Sequence, residues 1–178
     1  MSHQVRAVRL RVEVARVAAV VVQVVVRDLV EEDLRACGFA GTELHLEQVR
    51  RELERVKLGE VDYLAVCTKA GLPVAIGGVD YVPHPGAGSL WQLAVQPALQ
   101  SCGIGTLLIG AVEERIRGRG LQRAEVAVEL SNPRARALYE RLGYVAYEER
   151  LEGWDQENPD GSVMRYETVC AQLRKRLA

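Results

Sequence analysis

The sequence predicts a single α/β (α+β) domain. Its core is a mixed, mostly antiparallel central sheet of about seven strands with helices on both faces, plus one extra strand at the N-terminus. Three observations predict it. The chain has 178 residues, 48% hydrophobic and 26% charged, the size and make-up of one globular domain with its own core. Segments of period-two and period-3.6 hydrophobicity alternate along it. Hairpin patterns in the middle and at the end interrupt that alternation, so the sheet is not purely parallel.

Val8, Leu10, Val12 and Val14 alternate with Arg9, Arg11, Glu13 and Ala15, a strand with one wet face inside an extension covering residues 1–19. Ala19 to Arg27 is more continuously apolar and is expected to be a central strand. Arginines at 6, 9, 11 and 16 precede the apolar stretch Val17–Val26, which superficially suits a secretion signal. Gln23 interrupts it, however, no small-residue cleavage site follows, and Arg27-Asp28-Leu29-Val30-Glu31-Glu32 comes next. The stretch is also too short to span a bilayer. Asp28 to Cys37 is polar with a short helical turn. Leu46, Val49, Leu53 and Val56 recur at three- and four-residue steps, an amphipathic helix over Glu43–Leu58 that Gly59 ends.

Val61–Thr68 and Leu72–Val82 read as strands joined by the turn Lys69-Ala70-Gly71, a hairpin. After the loop Pro83–Gly88 comes the strand Ser89–Val95. A helix from about Gly105 to Gly118 carries the apolar stripe Ile104, Leu107, Leu108, Ala111, Val112 and Ile116. Ala124–Glu129 is a strand, Ser131–Leu142 a helix closed at Gly143. Tyr144–Leu151 and Ser162–Thr168 are strands joined by the polar loop Glu152–Gly161. Cys170–Leu177 is expected as a short helix.

The formal net charge is −1 and no long basic stripe is present, so a nucleic-acid partner has no electrostatic support. Cys37, Cys67, Cys102 and Cys170 lie far apart with no Cys-x-x-Cys pair and no adjacent His. Reduced thiols in a cytoplasmic protein are expected rather than a zinc site or a redox motif, and no membrane segment is expected.

The chemistry gathers after the strand Ser89–Val95, in Gln100-Ser101-Cys102-Gly103-Ile104-Gly105-Thr106. Backbone N–H groups at a helix start lack intrahelical partners and carry partial positive charge. Glycines let a phosphate approach them. Two readings fit the loop alone: a pyrophosphate cradle, or a strand-to-helix turn that needs glycine for its geometry. The dinucleotide fingerprint fails because position 108 is Leu, and the Lys of a nucleoside-triphosphate loop is absent.

Further on stands Glu129-Leu130-Ser131-Asn132-Pro133-Arg134-Ala135-Arg136-Ala137-Leu138-Tyr139-Glu140-Arg141-Leu142-Gly143-Tyr144. With both segments in view, the sequence closely resembles the GNAT superfamily of N-acetyltransferases. That family carries Q/R-x-x-G-x-G/A after its fourth strand and a later N-x-x-A-x-x-L-Y-x-x-x-G-F/Y. The resemblance is specific from Leu90 to Tyr144, so residues 89–144 form the expected acetyl-CoA-binding core. It is looser over Val24–Leu34, where Arg27 and Asp33-Leu34 look like the family's first strand and helix, and it does not reach the segment before Val20.

The resemblance implies both the fold and an activity, that of an N-acetyltransferase moving an acetyl group from acetyl-CoA to a primary amine of a small molecule or peptide. Gln100, Ser101, Cys102, Gly103, Ile104, Gly105 and the Thr106 hydroxyl would cradle the CoA pyrophosphate. Backbone groups of Leu93, Ala94 and Val95 would pair with the pantetheine arm, with Asn132 and Ala135 beside it. Tyr139 would protonate the departing thiolate. Asn132 also suits an N-cap ahead of Pro133, and Tyr139 also suits a core aromatic. Cys102 has no base in view and reads as incidental to catalysis.

The general base is open. Relatives often carry an acidic residue on the fourth strand, where this chain offers Ser89 and Gln92. Glu129 is the candidate, against a solvated strand-end charge. Asp80, His84 and a water chain are further options. Asp155, Glu157 and Asp160 of the acidic loop either attract a cationic amine or simply solvate a turn, and their spacing does not match a calcium loop; no metal is expected. Hydrophobic edge strands would suit a homodimer. From another class, a non-catalytic acyl-CoA-binding or regulatory module also fits, and steady thiol release with an amine separates the two.

Overall fold

The computed structural model describes residues 23–178. The expected strand Val8–Ala15 and the start of the strand Ala19–Arg27 lie outside the described residues. Seven strands form one sheet: β1 (Val24–Asp28), β2 (Val61–Thr68), β3 (Pro73–Asp80), β4 (Gly88–Val95), β5 (Arg123–Glu129), β6 (Val145–Glu157) and β7 (Val163–Arg176), in the spatial order β1-β2-β3-β4-β5-β7-β6. Every neighbouring pair is antiparallel except β4 and β5. Among the described residues three α-helices accompany it: α1 (Glu43–Lys57), α2 (Ile104–Gly118) and α3 (Pro133–Arg141).

Helices cover both faces, which is why β2 and β3 read as nearly continuous apolar runs. On one face Leu64, Val66, Val74 and Val79 pack with the α2 stripe Ile104, Leu108, Ile109, Val112 and Ile116, and with Tyr139 of α3. On the other, Tyr63, Ala65, Cys67 and Ile76 pack with Leu46 and Val49 of α1. Helix α2 crosses so close to β4 that a Cβ on Gly88 would lie 2.5 Å from Ile116 Cγ1.

Local chemistry sets the helix starts. The Thr42 hydroxyl accepts from His45 N (3.5 Å) at α1. Asn132 Oδ1 accepts from Ala135 N (3.0 Å) at α3, with Pro133 at the first helical position, so the capping reading of Asn132 is observed. Before α1, a short 3-10 helix (Glu31–Ala36) is fixed by Asp33, which accepts from both Arg27 Nη atoms (2.6 and 2.8 Å) and from Val30 N (3.0 Å).

Three expectations are corrected. Among the described residues β1 is an edge strand rather than a central one, since only β2 pairs with it. Cys170–Leu177 is not a helix: β7 runs on to Arg176, paired with β5 from Cys170 to Arg176. Cys170, Ala171, Gln172 and Leu173 are all buried, so both sides of this stretch are covered and no clean alternation marks it. The polar segment from Glu152 is strand as far as Glu157, because β6 and β7 project as a long hairpin whose arms pair with each other; the turn itself is confined to Asn158–Ser162.

Candidate active site

The parallel pair β4/β5 is joined by only three residue pairs: Gly88 with Ala124, Ser89 with Glu125, and Leu90 with Val126. Beyond them the strands separate. A bulge in β4 accompanies the divergence, where Gln92 and Leu93 together oppose the single residue Gly77 of β3 and Gln92 adopts φ 51°. Such a bulge twists a strand away from its neighbour. Gln92 is held there by its Oε1, which accepts from the Tyr63 hydroxyl (3.1 Å). The backbone of Leu93, Ala94 and Val95 therefore has an unpaired flank, facing Ala127–Glu129 across the gap.

A cleft of about 860 Å³ fills this gap. Leu93, Glu129, Asn132, Ala135 and Tyr139 line it together. Ala94, Val95 and the loop Gln100–Thr106 do not line it but continue from its end. Gln100 Nε2 donates to Val95 O (3.3 Å), and a Cβ on Gly105 would sit 3.4 Å from Leu138 of α3 and 3.7 Å from Val95. Gly103 caps α2 in the left-handed region, φ 85°, with Ser101 also at positive φ (63°). Among the described residues no side chain caps α2. The first intrahelical donor is Leu107 N, to Gly103 O (3.0 Å), so the amides of Ile104, Gly105 and Thr106 point out of the helix end unclaimed by its own ladder.

Arg134 is a residue the sequence reading missed. From the first turn of α3 its guanidinium reaches back to donate to Gln100 Oε1 (2.9 Å) and Ser101 Oγ (2.8 Å). A side chain at a helix start leans toward the N-terminus, and this lean is the only local hint that it would reach the loop.

Tyr139 is buried, packed edge-on against Tyr144 with ring centroids 5.4 Å apart. Burial pushes its hydroxyl above the ordinary phenol range. Such a phenol keeps its proton at neutral pH and is suited to donating a hydrogen bond into the cleft. Glu129 Oε2 accepts from the Tyr166 hydroxyl (3.0 Å) and Ser131 Oγ (3.4 Å). Cys102 is exposed on the loop, while Cys37, Cys67 and Cys170 are buried free thiols.

The far side of the cleft is acidic. Glu52, Asp80, Glu125, Glu129, Glu152 and Asp155 line it, and Arg165 is the only Lys or Arg among the lining residues. Arg55 holds Glu52 (2.8 Å) and Asp80 (2.7 Å), and Arg165 lies 3.4 Å from Asp155. Glu152 accepts from the neutral Gln172 amide (3.0 Å). Of the three acidic-loop residues singled out in the sequence, Asp155 alone reaches the cleft. Glu157 Oε2 accepts from Leu44 N (3.3 Å), tying the hairpin to α1, and Asp160 is spent on Ser162 within the turn. Two wall atoms are buried without partners among the described residues, His45 Nε2 and Trp91 Nε1; burial lowers the His45 pKa. Among the described residues no group of three or more His, Cys, Asp or Glu is placed to hold a metal ion, and no helix is long and apolar enough to cross a membrane.

Comparison with known proteins points the same way. The sequence profile of the Acetyltransferase (GNAT) family matches residues 26–144. A mycothiol acetyltransferase of Beutenbergia cavernae is 41% identical over 63 residues, 35% of this chain and 21% of that protein. The [ribosomal protein bS18]-alanine N-acetyltransferase of Haemophilus influenzae is 38% identical over 56 residues, 32% of this chain and 38% of that protein. The chain thus spans well under half the length of these curated relatives. Among solved structures, a phosphinothricin acetyltransferase of Sinorhizobium meliloti in complex with AcCoA shares the fold at TM-score 0.66 and 16% identity, covering 87% of this chain and 89% of that one.

Proposed function

This chain belongs to the Acetyltransferase (GNAT) family, and from that premise we propose that it moves an acetyl group from acetyl-CoA to a primary amine by direct attack on the thioester. The observation that carries the proposal is the opening between β4 and β5 that ends at the uncapped N-terminus of α2. A sheet interrupted in this way offers strand-like pairing to an extended arm, and the amides of Ile104, Gly105 and Thr106 offer an anion seat at the end of that arm. A pantetheine arm joined to a diphosphate has that shape and charge. Gln100–Thr106 would hold the diphosphate, with the Thr106 hydroxyl and Arg134 as added donors. Leu93, Ala94 and Val95 would pair with the arm, beside Asn132 and Ala135.

With the thioester in the cleft, a backbone N–H of the diverging β4 segment would stabilise the oxyanion as the amine attacks. Tyr139 donates a hydrogen bond to the sulfur as the C–S bond breaks and negative charge develops there. The acceptor enters from the acidic side. An aliphatic ammonium must lose a proton first, at a cost of about 4 kcal/mol near neutral pH. Carboxylates lining that side favour a cationic acceptor, with Glu129 and Glu152 free of any arginine partner among the described residues. The relatives named above carry the names of a small molecule, mycothiol, and of a ribosomal protein's alanine, which supports acetyl transfer without choosing a small molecule over a peptide.

A thiol-release assay with acetyl-CoA against a broad panel of amines and peptides, run beside calorimetric titration with CoA, tests the proposal. Steady release with any amine is the expected result. CoA binding without turnover would replace the enzyme by an acyl-CoA-binding module, and absence of CoA binding would overturn both.

A further inference from the structure

Resting on the acetyltransferase reading, we infer that His84, oriented by Glu125, is the general base that takes the proton from the acceptor amine. Strand β4 supplies Ser89 and Gln92 where a carboxylate would serve. The loop between β3 and β4 compensates by folding His84 back over the first rungs of the β4/β5 pair. His84 Nδ1 lies 3.0 Å from Ser89 Oγ and 2.9 Å from Glu125 Oε2. Ser89 and Glu125 are themselves ladder partners, one rung below the last pair before the cleft opens. The imidazole therefore stands at the floor of the gap and lines it.

A carboxylate offers only lone pairs, so the contact with Glu125 favours the tautomer with hydrogen on Nδ1, which leaves Nε2 its lone pair. Glu125 Oε1 also lies 2.7 Å from Arg123 Nε, an ion-pair contact without hydrogen-bond alignment. The Glu125 side chain is 10% exposed, against 33% for His84, so the carboxylate is fixed and the ring remains reachable. The neighbouring acids are otherwise engaged. Asp80, opposite Ser89 across β3/β4, accepts from Arg55 (2.7 Å) and Val82 N (2.9 Å). Glu52 is paired with the same Arg55.

The proton balance closes. Neutral His84 Nε2 takes one proton from R–NH3+, leaving R–NH2. The nitrogen lone pair forms the C–N bond with the thioester carbon, and collapse of the adduct sends the C–S electron pair to sulfur. The amide nitrogen loses its surplus proton and the thiolate gains one beside Tyr139. His84 then returns its proton to solvent, for a sum of R–NH3+ and acetyl-CoA giving the acetamide, CoA–SH and H+.

The test uses the full chain with its best amine. His84→Gln should lower kcat by about 10²–10³-fold while the Kd for acetyl-CoA and the circular dichroism spectrum stay unchanged, and added imidazole should restore part of the rate to His84→Ala. Glu125→Gln, which removes the orienting carboxylate, should lower kcat while the Kd for acetyl-CoA stays unchanged, and Glu125→Asp should recover part of the rate. Nitrogen NMR of the free protein should show the neutral ring with hydrogen on Nδ1 and none on Nε2. Wild-type kcat in His84→Gln, or hydrogen on Nε2, would overturn this inference alone. A wild-type protein that released no thiol with any amine would overturn the acetyltransferase reading, and this one with it.

Discussion

Replacing Arg134 by glutamine probes the anion seat through a residue far from the reacting atoms. In the free protein the guanidinium donates to two neutral oxygens, Gln100 Oε1 and Ser101 Oγ, both on the loop that would wrap a diphosphate. Hydrogen bonds to charged groups contribute about 1.5–3 kcal/mol. Arg134 is exposed, so solvent screening reduces that to about 1–2 kcal/mol, or roughly 5–30-fold in Kd. Titration calorimetry with CoA at low salt should show this loss, shrinking as ionic strength rises. Pantetheine, which lacks the diphosphate, should bind wild type and variant alike. Equal CoA affinity in the two proteins would refute the argument. An equal loss with pantetheine would refute it differently, by showing that Arg134 shapes the loop instead of meeting an anion.

Three further outcomes are expected. Tyr139→Phe should lower kcat by about 10²-fold or more with the CoA affinity preserved; an unchanged kcat would leave Tyr139 as a core aromatic only. Asn132→Ala removes the α3 cap and should cost about 1 kcal/mol, or about 2–4 °C in Tm for a domain of this size, with Asn132→Ser largely restoring it. The donors from Arg27 hold the Asp33 carboxyl below its ordinary value of 3.8. The unfolded chain therefore binds that proton more readily, and the stabilisation is whole above about pH 4 and lost as pH falls below it. The Tm gap between wild type and Asp33→Asn should be wide at pH 7 and narrow as pH falls below 4, and a gap constant with pH would exclude this linkage.

Much of the local structure around the candidate site is legible in the sequence because its signals are local. Gly103 and Gly105 announce a helix start with a left-handed turn, Asn132-Pro133 announces the next one, and the Leu46, Val49, Leu53, Val56 spacing draws α1 nearly to the residue. What cannot be read is what the fold brings together from afar. His84 meets Glu125, and Arg134 meets Ser101 across 33 positions, through strand pairing that no window of sequence contains. The final hairpin is hard to read for a different reason. Glu148, Glu149 and Arg150 are exposed, so this part of β6 buries too little to leave a period-two imprint. In β7, Cys170, Leu173 and Leu177 fall at helical intervals, yet they lie on or just after a strand covered from both sides.

The three rungs that join β4 to β5 make the sheet, mechanically, two leaves on a short spine. Helix α2 is the brace: Ile116 sits against Gly88 at the spine, while Ile104, at the other end of the same helix, packs where the leaves have parted. The same rod thus packs on β2, β3 and β4 of one leaf and on β5 of the other. Trimming Ile116 or Leu108 would disturb the aperture without touching any residue inside it.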